Sequence, residues 1–325
     1  MSSVSDWNAP LPGSSGNKRK RTIALLVGIG LVFLAGIAAW LFIKQQEAQT
    51  ELAMPVLDQS CQLAFFSERD GDAEIYLMDA DGGNLVKLTS NDDMDYFPTW
   101  SPDGKRIAFA SNQDGDFEIY AMDPDGQNVS QLTFNEHHDS WPAWSPDGSR
   151  IAFISSRDGD FEIYLMEPNG QNLQQLTFNE AHEYFPAWSA DSQEITFSST
   201  SDGDMEVYRF DADGQNLVRL TFDREDDFWP VFSPDGKRIA FGSNRDGDYE
   251  IFVMDRDGGN TQQLTINHNE DFWPAWFSDG SQIAYVCTSH YDTEICLMDS
   301  AGTSLRPLTF TKFTDSFPAW SPICQ

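Results

Sequence analysis

Apolar residues recur along this chain in short alternating runs, and the runs themselves recur. In "RIAFAS" (106–111), Ile107 and Phe109 alternate with Ala108 and Ala110. "EIYAMD" (118–123) follows the turn "QDGD", "NVSQLT" (128–133) follows "DPDGQN", and "WPAWS" (141–145) precedes "SPDG". A period of two belongs to a β-strand, whose side chains point to opposite faces in turn. Asp-Gly pairs between such runs are hairpin signals, because glycine accepts the positive φ that a tight turn needs. Each unit therefore predicts four short antiparallel strands.

The units repeat. Copies start at 61, 105, 149, 193, 237 and 281, and the aromatic that ends the fourth strand recurs as Trp100, Trp144, Trp188, Phe232, Trp276 and Trp320 with no insertion. A four-stranded unit of about 40–45 residues, repeated, points to a β-propeller blade. Six copies predict an all-β, six-bladed propeller over 61–325. Small residues opposite large ones suit blades packed face to face. The segments "PAWSPDG" and "RIAF" and the pattern DGDxEIYxMDxDG resemble the TolB-type, WD-like propeller repeat of bacterial envelope proteins. That resemblance implies a six-bladed ring and a binding role, not a particular partner.

The N-terminal part has another character. Residues 1–21 are rich in Ser, Gly, Pro and Asn, end in "KRKR", and read as a disordered cytoplasmic tail. Residues 22–43 carry no charge. At ~1.5 Å per residue such a run spans roughly 33 Å as a helix, enough for a hydrocarbon core about 30 Å thick. A cleaved signal peptide would have a shorter apolar region and a small-x-small site near its end; this run ends Trp40, Leu41, Phe42, Ile43. The bases before it favour a cytoplasmic N-terminus. The expectation is a single-pass inner-membrane anchor, a stalk over 44–60 and a propeller outside the cytoplasm. Residues 51–325 hold fifteen Lys/Arg and fifty Asp/Glu, net −35. Such a domain is repelled by phosphate backbones, so nucleic acid is excluded as a partner.

Four cysteines are present: Cys61, Cys287, Cys296 and Cys324. In an extracytoplasmic domain an even number invites disulfides. Aligning the copies puts Cys324 and Cys61 at neighbouring positions of one virtual turn, a clasp for the ring. Cys287 and Cys296 fall on the two arms of the one hairpin of six without Asp-Gly. Buried free thiols are the alternative.

Two groups on one face offer chemistry. Asp95, Asp139, Glu183, Asp227, Asp271 and Asp315 each lie three residues before the inner-strand proline. Six carboxylates around the tunnel mouth would suit Ca²⁺ or another divalent cation in the central tunnel. The same acids can instead accept turn N–H groups or pair with Arg69, Arg157 and Arg245. His137, His138, His182 and His268, with His290 in a hairpin turn, map to this face as well. They are either solvated loop residues or ligands for a transition metal. The aromatics before each proline (Phe97, Trp141, Phe185, Trp229, Trp273, Phe317) read as packing between blades; Tyr96, Tyr184, Phe228 and Phe272 beside the acids can stack on a sugar or peptide. No G-x-S-x-G elbow, H-E-x-x-H or Walker loop is present. Three functions stay open: a non-enzymatic scaffold binding a protein or envelope polymer, a metal-dependent lyase or hydrolase acting on polysaccharide, and an extracytoplasmic sensor.

Overall fold

The computed structural model describes residues 61–289 and 292–323. Within them the chain forms twenty-four strands in six four-stranded antiparallel sheets. In blade 2 the order from the axis outward is Asp95–Trp100, Ile107–Ser111, Glu118–Met122 and Ser130–Gln131. Blades 3 to 6 repeat it, with inner strands Asp139–Trp144, Glu183–Trp188, Asp227–Phe232 and Asp271–Trp276. Among the described residues no helix is long and apolar enough to cross a membrane. The expectations for 1–21, 22–43 and 44–60, and those for His290 and Cys324, fall outside the described residues.

Blade 1 is assembled from both ends of the domain. Asp315–Trp320 supplies its inner strand and pairs with Gln62–Ser67, Leu63 opposite Trp320 and Ser67 opposite Asp315. The final "DSFPAW" is therefore the inner strand of the first blade, and main-chain pairing closes the ring. Cys61 is fully buried and disulfide-bonded. Cys287 and Cys296 are bonded to each other across the hairpin of blade 6.

The core lies between blades. Ala108, Ala110 and Ala121 on one face of blade 2 meet Ile151, Phe153, Tyr164 and Met166 of blade 3. Small side chains let the sheets approach, and the large ones fill the gap, as the alternation predicts. The turn after the third strand also needs room: Gly126 has φ +79°, and a Cβ there would sit 2.5 Å from the Leu88 carbonyl oxygen of the blade before. The outer strands are only two residues long, shorter than runs such as "NVSQLT" suggest. They face solvent, and a short edge resists pairing with another chain.

All six inner strands carry a register shift, in blade 2 between Tyr96 and Thr99. The shift falls at the aromatic-proline pair. Proline has no N–H to give the ladder. The aromatic before it adopts φ between +50° and +60° in every blade. A bulge of this kind re-aims one side chain, and here it aims six aromatics at the axis.

Candidate functional site

Phe97, Trp141, Phe185, Trp229, Trp273 and Phe317 form a closed ring. Going round, their centroids are 4.7, 4.9, 5.9, 5.6, 5.6 and 5.0 Å apart. They pack between blades, and all but Phe97 also line a central cavity of about 340 Å³, together with Pro98, Pro142, Pro186, Pro274 and Pro318 and with Trp100, Trp276 and Trp320. The cavity runs toward the SPDG-turn face, where Pro234 and Pro322 line it. The indole N–H groups of Trp141, Trp229 and Trp273 are buried and meet no acceptor among the described residues.

The six acids do not stand around this cavity. Asp95, Asp139, Glu183, Asp227, Asp271 and Asp315 are at most 1% exposed, and no carboxylate lines the cavity. The expectation of a tunnel-mouth cation site is corrected accordingly. Each acid begins its strand ahead of the bulge and sits in the junction between two blades. There it meets a second carboxylate that the sequence reading overlooked. Glu74, Glu118, Glu162, Glu206, Glu250 and Glu294 open the third strands and are all buried. Their signal was visible: one acid at the same place in each apolar "EIY"-type run.

The pairs are bridged from the blade-to-blade segments. Asn91 donates its backbone N–H to Glu74 at 3.0 Å and its amide to Asp95 at 2.9 Å. Asn267 does the same for Glu250 and Asp271, at 2.6 Å each. A buried threonine hydroxyl holds most of the glutamates, as Thr89 does Glu74 at 2.6 Å. Blades 1, 3 and 5 add a cation. Arg69 reaches Asp315 and Arg157 reaches Asp139 at 2.8 Å, and Arg245 reaches both oxygens of Asp227 at 2.9 and 3.0 Å. The arginine pairing open to these acids in the sequence is thus present in three blades. Blades 2, 4 and 6 have Gln113, Ser201 and Ser289 at that position. Their inner acids are driven upward by burial: Asp95 to about 6, Asp271 to about 7 and Glu183 to about 8. Burial also pushes Glu118 to about 8 and raises Asp227, where Arg245 opposes it.

The histidines are not brought together. His137, His138, His182 and His268 are exposed, on three blade-to-blade segments. Nδ1 of His138 accepts the Phe117 N–H at 3.4 Å, and Nδ1 of His182 accepts that of Phe161 at 3.2 Å. Asp226 and Glu270 do the same for Met205 and Tyr249. These positions finish hairpins, and an imidazole serves as well as a carboxylate. Tyr96, Tyr184, Phe228 and Phe272 are half-buried against neighbouring rings, Tyr96 edge-on to Phe66 at 4.8 Å.

One further set escaped the sequence reading. Phe134, Phe178, Phe222, Ile266 and Phe310 follow the last threonine of a blade and are 72–80% exposed. They stand on the face of the D-G-D turns, opposite the SPDG turns, one per blade in blades 2 to 6.

The chain matches the family model of the TolB beta propeller domain over residues 57–140 and 135–323. A stretch of 46 residues is 44% identical to the Tol-Pal system protein TolB of Geobacter sulfurreducens (strain ATCC 51573 / DSM 12127 / PCA); it spans 14% of this chain and only 11% of that protein. TolB from Acinetobacter baumannii superposes with a TM-score of 0.71 and 25% identity, over 81% of this chain and 67% of that one. The putative TolB from Agrobacterium tumefaciens shares the fold at a TM-score of 0.66 and 22% identity, over 81% and 94% of the two chains. The register, the blade closure and the matched repeats agree: the chain belongs to the TolB β-propeller family.

Proposed function

We propose that the protein is a non-enzymatic scaffold that docks a protein partner on the face of its D-G-D turns. One observation carries the reading: the apolar rim of Phe134, Phe178, Phe222, Ile266 and Phe310, each at least 72% exposed. Apolar surface held in water is unfavourable by about 25 cal/mol per Å², and repeated exposure of large side chains on one face marks an interaction surface. The net charge of −35 over residues 51–325 favours a basic partner. The Geobacter relative is named as part of a Tol-Pal system, which supports a partner that is an envelope protein. The separate turn-finishing roles of His138 and His182 support the non-enzymatic reading.

The proposed anchor at 22–43 and stalk at 44–60 join the domain at Cys61. Cys61 lies on the SPDG-turn face, since the next residue, Gln62, accepts the Ser321 N–H at 2.8 Å. The rim lies on the face of the propeller opposite Cys61. The test is capture by the full-length protein in detergent, compared with the variant Phe134→Ser/Phe178→Ser/Phe222→Ser. Wild type should retain an envelope protein that the variant loses, at an unchanged unfolding midpoint. Equal retention by both, or nothing above background for wild type, would overturn the reading.

A further inference from the structure

The closed ring of Phe97, Trp141, Phe185, Trp229, Trp273 and Phe317 has neighbouring centroids 4.7–5.9 Å apart. In a hexagon the distance from corner to centre about equals the side. A point on the axis therefore lies roughly 5–6 Å from every ring, within the range over which an aromatic ring holds a cation. Five of the six junctions have interplanar angles of 61–76°, near the angle of six panels standing around an axis. All six rings are partly exposed, and five of them line the cavity. The indole nitrogens of Trp141, Trp229 and Trp273 are covered, so what these rings present is carbon surface.

The rest of the lining decides which cation fits. No charged side chain lines the cavity, and Thr99 carries its one side-chain hydroxyl. A hard metal ion takes about six oxygen ligands, and a primary ammonium has three N–H groups to satisfy. The lining side chains supply neither with enough oxygen. An anion is repelled by a domain of net charge −35 over residues 51–325. A neutral apolar molecule fills the space but gains nothing from that charge. A quaternary ammonium group has no N–H to satisfy, carries the charge that the domain attracts, and is held by aromatic faces.

We propose that the ring is an aromatic cage for a quaternary ammonium group, such as that of choline, entering from the SPDG-turn face. The cage lies on the axis and the rim of Phe134, Phe178 and Phe222 on the other face, so this site stands or falls independently of the scaffold reading.

The experiment is a titration of the full-length chain in a maltoside detergent, read by calorimetry and by tryptophan emission. Choline should bind saturably, about one per chain, and shift the emission. Two relatives should bind at least about tenfold more weakly: the carbon isostere with a tert-butyl group in place of trimethylammonium, and ethanolamine, which keeps the charge but has N–H groups. Trp229→Phe/Trp273→Phe installs the residue that blades 1, 2 and 4 already have at that position. It should fold and bind choline several-fold more weakly, because indole holds a cation better than phenyl. A short-chain phosphatidylcholine that displaces choline would make the source a lipid headgroup; failure to displace it would make the source a free solute. Equal binding of choline and its carbon isostere would overturn the proposal. So would ethanolamine binding as tightly as choline, an undiminished affinity in the double variant, or no saturable binding of choline at all.

Discussion

Phe97, Trp141, Phe185, Trp229, Trp273 and Phe317 each hold a backbone conformation that bulky residues avoid. A left-handed residue costs about 1–2 kcal/mol. Six of them persist because each ring packs on the next and because proline leaves the ladder one donor short. The arginines of blades 1, 3 and 5 solve a different problem at the same scale, the burial of a carboxylate. Arg245 contacts Asp227 and also Asp223 at 2.9 Å, and its guanidinium stacks 4.7 Å from the Phe252 ring. Arg245→Gln should lower stability by about 2–3 kcal/mol at neutral pH, because it leaves Asp227 charged and buried. The loss should shrink at acid pH, since the raised Asp227 can then take up a proton. Urea unfolding at the two pH values measures both. A variant as stable as wild type at neutral pH would mean that the pair contributes nothing.

At the scale of the element, the hairpin of blade 6 departs from its siblings. Its arms Gln282–Ser289 and Asp292–Asp299 are two to three residues longer than those of other blades and lack the Asp-Gly turn. The Cys287–Cys296 bond joins residues nine apart in sequence. In the chain-entropy model a loop of that size stabilises by about 2–3 kcal/mol. Cys287→Ser/Cys296→Ser should therefore unfold at lower urea with an unchanged slope, and reduction of wild type, which also opens the Cys61 bond, should lower the midpoint at least as far. The bridge, the blade count and the ring closure were legible in the sequence because they rest on local signals: a period of two, Asp-Gly turns and a constant spacing. The bulge was not legible. A Phe or Trp before proline is expected to be extended, and nothing local says that Phe97 or Trp141 turns left-handed. One shifted residue decides which side chain reaches the axis. That is why the acids, and not the aromatics, were assigned to the tunnel. The second carboxyl ring, Glu74 to Glu294, was written plainly in the repeat. Its pairing with the first ring needed the three-dimensional junction between one blade's third strand and the next blade's inner strand.

For the whole molecule, the buried carboxyls whose protons are held more tightly at the blade junctions make stability a function of pH. Asp95, Asp271 and Glu118 have folded-state values of about 6, 7 and 8, raised chiefly by burial. Unfolded, they would titrate near about 4. Between those limits the folded ring holds protons that the unfolded chain has released. Stability is therefore greatest at the acid end of the window and falls as pH rises, by the linkage between proton binding and folding. A tenfold difference in proton affinity is worth about 1.4 kcal/mol, and bridging amides offset part of it, so a loss on the order of a few kcal/mol is expected between about pH 5 and pH 8.5. Surface repulsion in so acidic a domain would act in the same direction, but salt separates the two. Exposed charges are screened beyond about 5 Å at roughly 0.5 M salt, whereas buried pairs are screened much less. With chelator present, the Tm should still fall across this window at high salt, and Asp271→Asn should flatten the fall. A Tm that is level or rising from pH 5 to 8.5, or a slope that vanishes with salt, would show that the junction carboxyls do not hold these protons.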